Sequence, residues 1–220
     1  MPAPLAEATV EVWRVPLARC APALAARFEA LPPAEQERAR QFRADDARRH
    51  FIAGRVVLRQ LLGERLELPL AAVPLTVDER GKPHLARGLP ADWHFNLSHS
   101  GPLVLVALAR GTPVGVDVET ERPLANWRAL AARSFSPAEV RALEALPDAE
   151  RAPAFFQTWT RREAFLKATG EGLAGTLGRE LNPGPAWTVI QFLAAPAHPA
   201  AVAVRHPAAT LTVRDVSLPS

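Results

Sequence analysis

Residues 103–119 read LVLVALARGTPVGVDVE. The first seven are all apolar, which predicts a short strand buried on both faces at the centre of a sheet. A Gly-Thr-Pro turn follows, and residues 114–119 then alternate valine with glycine and acidic side chains, as a second strand. We place a seam between two halves of the chain at this turn, residues 1–110 and residues 111–220.

Both halves combine strands with long helices, which indicates an α+β fold. In the first half, a strand is predicted over residues 8–15, and a basic amphipathic segment over residues 34–62 is broken near Asp45-Asp46. In the second half, the sequence Ser136-Pro137-Ala138-Glu139 carries three helix-start signals. A long helix and three closing strands complete the prediction, at residues 149–169, 187–193, 201–205 and 210–213.

The composition is typical of a soluble globular protein, since hydrophobic residues make up 48% and charged residues 22% of the 220 residues. The single cysteine, Cys20, cannot form an internal disulfide, which excludes a disulfide scaffold. The longest apolar run, residues 103–109, is far too short to span a membrane. Residues 1–7 have neither the basic nor the apolar region of a signal peptide. We therefore expect a cytoplasmic protein without a membrane segment.

The chain is basic, with a formal net charge of +3 and a sequence pI of about 9.9, which fits a polyanionic partner. A nucleic-acid-binding surface would need basic residues interleaved with exposed aromatic residues. The chain has no tyrosine, and most of its phenylalanine and tryptophan residues are at core spacing. Nucleic-acid binding is therefore a minor alternative, and no nucleic-acid partner is expected.

Asp117 and Glu119 form the first candidate site. Residues two apart on a strand point to the same face, so the two carboxylates project together. Neighbouring carboxylates repel each other unless a cation lies between them, and Mg²⁺ is commonly held by one or two carboxylates together with substrate phosphates. The pair is either a metal site or a strand end at which both acids are hydrated.

Trp159, Glu163 and Lys167 are four residues apart and share one face of a helix. The simplest interpretation is a Glu–Lys pair on the helix surface. The alternative is a third metal carboxylate followed by a lysine that meets a phosphate as a point charge. Lys167 and Lys82 are the only lysines in the chain.

Residues 96–101 are predicted to form a polar turn between two apolar strands. The backbone N–H groups, hydroxyls and imidazole of such a turn suit an anion, although its serine and asparagine side chains could equally satisfy the turn itself. The turn Gly81-Lys82-Pro83 indicates no function alone. The arginines between Arg38 and Arg59 are more typical of a solvated helix face than of a phosphate site.

Taken in order, these segments resemble the Sfp-type 4′-phosphopantetheinyl transferases. That family has a Gly-Lys-Pro turn, an Asn-x-Ser-His-Ser sequence, a Gly-x-Asp-x-Glu strand and a Trp-x-x-Lys-Glu-Ser/Ala helix that ends in lysine. The four motifs in this order are specific, and the resemblance covers about residues 37–175. The corresponding segments here are Gly81–Pro83, Asn96–Ser100, Gly115–Glu119 and Trp159–Lys167.

The resemblance implies two similar α/β lobes related by pseudo-twofold symmetry, in a protein active as a monomer. A weak internal repeat agrees with it, since Arg48–Ala53 echoes Arg161–Leu166. It also implies transfer of the 4′-phosphopantetheine group of coenzyme A, the co-substrate, to a serine of an apo acyl, polyketide or peptidyl carrier protein. The second product would be 3′,5′-ADP, and the metal ion would be Mg²⁺, with Mn²⁺ as the alternative.

The family's functional residues map onto this sequence by the same likeness. Asp117, Glu119 and Glu163 would bind the metal ion on the pyrophosphate, Lys167 would assist the leaving group there, and Glu139 has the position of a proposed general base. Ser98 and His99 would contact the coenzyme phosphates. The remaining coenzyme contacts would be Lys82 and Pro83 beside the adenine, and Arg38, Arg49 and His50 at the 3′-phosphate.

Three positions qualify the resemblance. Arg162 replaces the usual lysine, and because arginine cannot release a proton, only an electrostatic role survives there. Ala164 replaces the frequent serine. Glu139 is the third residue of a capping box, so a helix cap explains it as well as a base does. A non-catalytic coenzyme A-binding protein is the main alternative function, although all three metal carboxylates are present.

Overall fold

The computed structural model describes residues 8–78, 81–86, 92–171 and 178–218. Within these ranges the chain has the predicted α+β architecture. Residues 1–7, on which the expected absence of a signal peptide rests, lie outside the described residues, as does the end of the segment matched by the resemblance. The elements are β1 (Ala8–Pro16), α1 (Leu17–Phe28), α2 (Pro33–Arg40), α3 (Asp45–Leu66), a 3₁₀ turn (Leu70–Ala72), β2 (Leu75–Val77), β3 (Pro83–Leu85), β4 (Trp93–Ser100), β5 (Leu103–Arg110), β6 (Val114–Val118), α4 (Trp127–Ser134), α5 (Pro137–Glu144), α6 (Asp148–Thr169), β7 (Thr188–Ala195), β8 (His198–Val204) and β9 (Ala209–Asp215).

Strand β5 lies inside a four-stranded sheet of order β4-β5-β1-β9. It pairs antiparallel with β4 on one side and with β1 on the other, and residues 103–109 are all buried. The prediction of a central strand is therefore confirmed. Its side chains alternate between two cores: Val104, Val106 and Leu108 pack with α1 and α3, and the residues between them pack with the second sheet.

The second sheet has the order β6-β8-β7, with antiparallel neighbours. The last strand, β9, instead pairs in parallel with β1, so the end of the chain completes the first sheet. Two 22-residue helices pack on the sheets, α3 on the first and α6 on the second. No helix in the described ranges has an apolar stretch that would cross a bilayer.

The helix signals in the sequence are confirmed. Ser136 Oγ accepts the Glu139 N–H at 3.3 Å, and a Glu139 carboxylate oxygen accepts the Ser136 N–H at 2.9 Å, which is the reciprocal capping box. Helix α6 begins one residue before the predicted start and ends before Gly170, which has a φ of +77°. The predicted break in the basic segment lies between α2 and α3, which begins at Asp45.

The turn predicted at residues 96–101 is wrong. Residues up to Ser100 belong to β4, and the turn consists of Gly101 and Pro102. Serine and asparagine are typical of turns, but here Asn96, Ser98 and Ser100 accept hydrogen bonds from β6 of the other sheet and from the chain directly after it.

Candidate active site

Strands β4 and β6 belong to different sheets and are joined through side chains. Alternate residues of β4 point to one face and accept hydrogen bonds from backbone N–H groups of β6 and the chain after it. This side-chain ladder sets the distance between the two sheets. Its pairs are Asn96 Oδ1 with Val116 at 3.1 Å, Ser98 Oγ with Val118 at 3.3 Å, and Ser100 Oγ with Thr120 at 2.9 Å.

Ser98 also connects an acidic residue on β6 with a lysine on α6. Its Oγ donates to Asp117 Oδ1 at 2.8 Å and accepts from Lys167 Nζ at 3.1 Å. Lys167 Nζ donates in addition to Asp117 Oδ1 at 2.7 Å and to the Val116 carbonyl oxygen at 3.2 Å. The predicted surface pair of Glu163 with Lys167 is therefore wrong, because the ammonium pairs with Asp117 instead.

Helix α6 reaches this point because β6 has a glycine opposite it. A Cβ atom on Gly115 would lie 2.1 Å from the Ala164 carbonyl oxygen and 2.5 Å from the Ala168 nitrogen, which no side chain can tolerate. Glycine is thus required for α6 to lie close enough to bring Lys167 to Asp117.

Glu163 lies one helical turn before Lys167 and beside the acidic residues of β6. Burial, followed by the Asp117 charge, raises the pKa of Glu163, and Lys167 only partly opposes this. Glu163 Oε1 and Asp117 Oδ2 are buried atoms that have no hydrogen-bond partner among the described residues. Two such oxygens whose charges repel each other are stabilised by a cation placed between them.

The acidic residues do not form a complete metal cage. Within the described part of the chain, no three His, Cys, Asp or Glu side chains are grouped closely enough to hold a metal ion. Glu119 Oε2 accepts from Ser100 Oγ at 3.3 Å and from Arg122 Nη1 at 3.4 Å. Since Mg²⁺ usually keeps waters and substrate phosphates among its ligands, this incomplete set of carboxylate oxygens fits an ion shared with a phosphorylated substrate.

A cavity of about 300 Å³ lies between α3, β4 and the Gly81–Pro83 turn. The rings of His50 and His99 stack 4.3 Å apart in its wall, and His50 Nε2 donates to the Gly101 carbonyl oxygen at 2.8 Å. Partial desolvation, followed by the charges of His50 and Lys167, lowers the pKa of His99. The lowered pKa favours the neutral form of the His99 imidazole.

Arg55 adds a buried cation to the same cavity, so the interpretation of the arginines between Arg38 and Arg59 as a solvated helix face is wrong for Arg55 and for Arg59, which is also buried. Arg55 is 7% exposed, lies over the Phe51 ring at 5.3 Å, and has an Nη1 atom without a hydrogen-bond partner in the described chain. Glu35 Oε1 is 3.7 Å from this atom. Burial lowers the pKa of Arg55. The available signal was an arginine among the apolar residues of an amphipathic helix.

The Gly81-Lys82-Pro83 turn lies against the end of α6. Lys82 Nζ donates to the Lys167 carbonyl oxygen at 3.1 Å. The three turn residues and Lys167 line a second cavity of about 280 Å³. The structure thus brings Lys82 and Pro83 to the same site as Lys167.

Two of the arginines assigned to coenzyme A lie farther from this centre. Arg38 is exposed on α2, with its guanidinium 5.2 Å from the Phe42 ring, and Phe42 lines the cavity that contains His50. Arg49 is exposed, lies 3.6 Å from Asp46, and lines a separate apolar groove along α1. Arg38 is therefore at the margin of the histidine cavity, whereas Arg49 faces another surface.

Glu139 uses both of its carboxylate oxygens in contacts with α6 and with its own helix start. Its Oε1 accepts from Arg161 at 2.7 Å, and its Oε2 accepts from Arg162 at 2.9 Å in addition to the capping bond. Arg162 is 4% exposed and also donates to the Arg179 carbonyl oxygen at 2.9 Å. These contacts give Arg162, which departs from the family's lysine, a structural role between α5, α6 and the segment at Arg179.

Two family models match this chain. The model of the 4′-phosphopantetheinyl transferase superfamily matches residues 113–210. A model described as 4′-phosphopantetheinyl transferase, N-terminal, matches residues 19–110.

Curated relatives agree with these models. The 4′-phosphopantetheinyl transferase HetI of Nostoc sp. is 37% identical over 206 residues, which cover 89% of this chain and 87% of the relative. A phosphopantetheinyl transferase of Thraustochytrium sp. is 38% identical over 187 residues, covering 78% of this chain and 65% of that protein. The 4′-phosphopantetheinyl transferase psf-1 of Bacillus pumilus is 38% identical over 129 residues, or 59% of this chain and 53% of the relative.

Proposed function

Because the chain belongs to the 4′-phosphopantetheinyl transferase superfamily, we propose that it transfers the 4′-phosphopantetheine group of coenzyme A to a serine of an apo carrier protein. The second product is 3′,5′-ADP. The observation that carries the assignment of the site is the meeting of Asp117, Ser98, Glu163 and Lys167 at the junction of the two sheets.

The reaction replaces the phosphoanhydride bond of the pyrophosphate with a phosphoester bond to the carrier serine. The carrier serine oxygen attacks the pyrophosphate phosphorus next to the pantetheine arm, and the bond from that phosphorus to the bridging oxygen breaks. The serine proton passes to a base, and 3′,5′-ADP leaves with the bridging oxygen. Such a reaction needs charge neutralisation and positioning more than covalent help from the protein.

Asp117 and Glu163 would hold a divalent cation through their partnerless oxygens, with Glu119 as the third carboxylate. When bound, Mg²⁺ or Mn²⁺ would neutralise charge on the pyrophosphate and on the departing ADP. Lys167 would add a fixed positive charge beside the leaving group. Its ammonium already has three acceptors, which keep it in one position before substrate binds.

Coenzyme A would occupy the two cavities that the Gly81–Pro83 turn lines. The stacked pair His50 and His99, with Arg55 buried behind it, supports a phosphate-binding role for the larger cavity. Lys82 and Pro83 would border the adenine, and Ser98 the phosphates. Arg38 would meet the 3′-phosphate from the margin of the larger cavity, whereas Arg49 would have to turn away from the groove along α1 to reach it.

Glu139 stays a candidate for the general base. The geometry gives more support to its alternative role, because every hydrogen bond described above for its carboxylate serves the capping box or the Arg161 and Arg162 contacts. A base role requires one of these oxygens to exchange an arginine for the carrier serine.

The remaining features are proposed on the strength of the family resemblance. The two lobes, residues 1–110 and 111–220, would be related by a pseudo-twofold axis, and the two 22-residue helices would be their counterparts. We propose a cytoplasmic monomer that acts on acyl, polyketide or peptidyl carriers and binds no nucleic acid. A coenzyme A-binding protein without activity remains the second candidate function.

Thermal unfolding tests the site directly. A ligand that binds only the native state raises the Tm, so we expect coenzyme A and Mg²⁺ together to raise the Tm more than either does alone. The combined effect should be absent in Asp117→Asn and retained in Glu144→Gln, an exposed acid on α5. A coenzyme A response that is independent of Mg²⁺ and of Asp117 would contradict the proposed metal site.

Salt-sensitive binding to random DNA without a coenzyme A response would favour the nucleic-acid alternative.

A further inference from the structure

Lys82 is held in a turn that its own backbone closes. The Lys82 N–H donates to Asp78 Oδ1 at 2.8 Å, the Asp78 N–H donates to the Lys82 carbonyl oxygen at 3.0 Å, and the Gly81 N–H donates to the Asp78 carbonyl oxygen at 2.9 Å. Gly81 has a φ of +77°, which favours glycine at this position. The turn therefore presents the Lys82 side chain in a fixed direction.

The acceptor of this side chain is a carbonyl group in the last turn of α6. Carbonyl groups in the last turn of a helix have no amide partner four residues later, and a cation near them is favoured by the helix dipole. The Glu171 N–H donates to Thr169 Oγ1 at 3.4 Å and not to Lys167. Lys82 Nζ, at 3.1 Å, supplies the missing donor to the Lys167 carbonyl oxygen.

The same residue, Lys167, is fixed at both ends. Its carbonyl oxygen is held by Lys82, and its ammonium is held by Ser98, Asp117 and the Val116 carbonyl oxygen. Glu163 lies one turn earlier on the same end of α6. The Lys82 contact crosses from a turn before β3 to a helix 85 residues later in the chain.

We propose that Lys82 is a positioning residue that connects the Gly81–Pro83 turn to the end of α6 and thereby holds Lys167 and Glu163 in their reactive places. This inference rests on the proposed function. It differs from the expectation that Lys82 acts by bordering the adenine, because the contact assigns the Lys82 ammonium to the protein rather than to the ligand. Burial among these groups lowers the pKa of Lys82, in agreement with an ammonium withdrawn from solvent.

The kinetic test separates positioning from direct binding. Single-turnover transfer rates and coenzyme A dissociation constants would be measured for the wild type, Lys82→Met and Lys82→Arg. A misplacement of about 1 Å costs up to about 100-fold in rate, so we expect Lys82→Met to slow transfer at least tenfold while its dissociation constant changes less than about threefold. Lys82→Arg, which keeps a donor and a charge, should recover most of the rate.

The control is Arg141→Met, which removes an exposed cation from the last turn of α5 and should leave both quantities unchanged. A direct ligand role of Lys82 predicts the opposite pattern, which is a larger coenzyme A dissociation constant and a normal rate at saturating coenzyme A. That pattern would overturn the proposal. An unchanged rate in Lys82→Met would also overturn it. Failure of the wild type to modify any carrier would instead contradict the proposed function.

A spectroscopic test does not depend on activity. The chain has only two lysines, so protein labelled with ¹³C at lysine Cε should give two lysine signals. In each Lys82 variant, the one remaining signal is that of Lys167. We expect the Lys167 signal to shift or broaden in Lys82→Met relative to the wild type and to return toward the wild-type position in Lys82→Arg. An identical Lys167 signal in all three folded proteins would contradict the positioning role.

Discussion

At the scale of single residues, the site is destabilised by the charge that it needs for function. Burial and the Asp117 charge disfavour the ionised form of Glu163 in the folded protein and raise its pKa. Because the pKa of Glu163 is higher in the folded than in the unfolded protein, the contribution of Glu163 to the free energy of unfolding is greatest at low pH. That contribution is lost as the pH rises through the folded-state pKa.

Glu163→Gln should therefore stabilise the metal-free protein at neutral pH. The gain should be on the order of 1 kcal/mol, or about 2–4 °C in Tm for a chain of this size. It should vanish well below pH 4.5, where Glu163 is neutral in both the folded and the unfolded protein. Thermal unfolding against pH in EDTA measures it, with Glu144→Gln as the exposed control. Equal Tm values for wild type and Glu163→Gln at pH 7 would contradict the raised pKa.

Glu139→Gln separates the structural role of this residue from its catalytic one. Glutamine can still cap α5, but it removes the charge opposite the buried Arg162. We expect a loss of about 1–3 kcal/mol in the free energy of unfolding, with transfer by the folded variant within a few-fold of the wild type. A Tm like that of the wild type with transfer reduced a hundredfold or more would instead establish Glu139 as the base.

At the scale of elements, the close approach of α6 to β6 determines whether the site exists. Gly115 permits this close approach, because a Cβ at that position would lie 2.1 Å from the Ala164 carbonyl oxygen. The side-chain ladder from β4 fixes the opposite side of β6. The site therefore depends on two close contacts with one short strand.

Gly115→Ala should displace α6 and separate Lys167 from Asp117. We expect a loss of several kcal/mol in stability, and in the fraction that stays folded, loss of the combined coenzyme A and Mg²⁺ effect on Tm. Gly184→Ala is a matched control, because its Cβ would meet nothing within 4 Å and its cost, about 1 kcal/mol, comes only from a φ of +69°. Equal losses in the two variants would refute the steric account.

Elements with local signals could be predicted from the sequence. The apolar run at residues 103–109, the capping box at Ser136 and the long helix after it depend on neighbours in the chain. Helix α1 was not predicted, because Pro22 lies within it and indicates a break. The ladder of β4 was mistaken for a turn, since its partners are twenty residues away and only the packed sheets bring them together.

The residues of the site, like the elements, could be predicted from the sequence only in part. The motifs identified Asp117, Glu163 and Lys167, but not which of them pair. The Lys167–Asp117 contact depends on how α6 packs, and Arg55 joins the site because it lines the same cavity as the Gly81–Pro83 turn. No local pattern in the sequence encodes the Lys167–Asp117 contact, whereas the apolar neighbours of Arg55 on its helix were a local signal of its burial.

At the scale of the whole molecule, the two halves of the chain share a sheet. Strand β9 pairs with β1 along its length, so β1 has neighbours on both sides only when the end of the chain is present. Although we propose a division between residues 110 and 111, we therefore do not expect the first half to be stable alone.

Truncation after residue 207 should expose one edge of β1 and part of the core that contains Val10 and Val12. We expect a protein that aggregates or unfolds well below the full chain, as followed by circular dichroism and size-exclusion chromatography. Truncation after Asp215, which keeps β9, should cost much less. Native-like unfolding of the shorter chain would contradict the structural role of β9.

The proposed transfer is tested most directly by the intact mass of an apo carrier protein after incubation with this protein, coenzyme A and Mg²⁺. We expect a gain of one phosphopantetheinyl group, with 3′,5′-ADP released in equal amount. The gain should be absent with EDTA and with Glu163→Ala, and present with Glu144→Gln. No gain on fatty-acid, polyketide and peptide carriers, from a folded protein that binds coenzyme A, would contradict the proposed transfer.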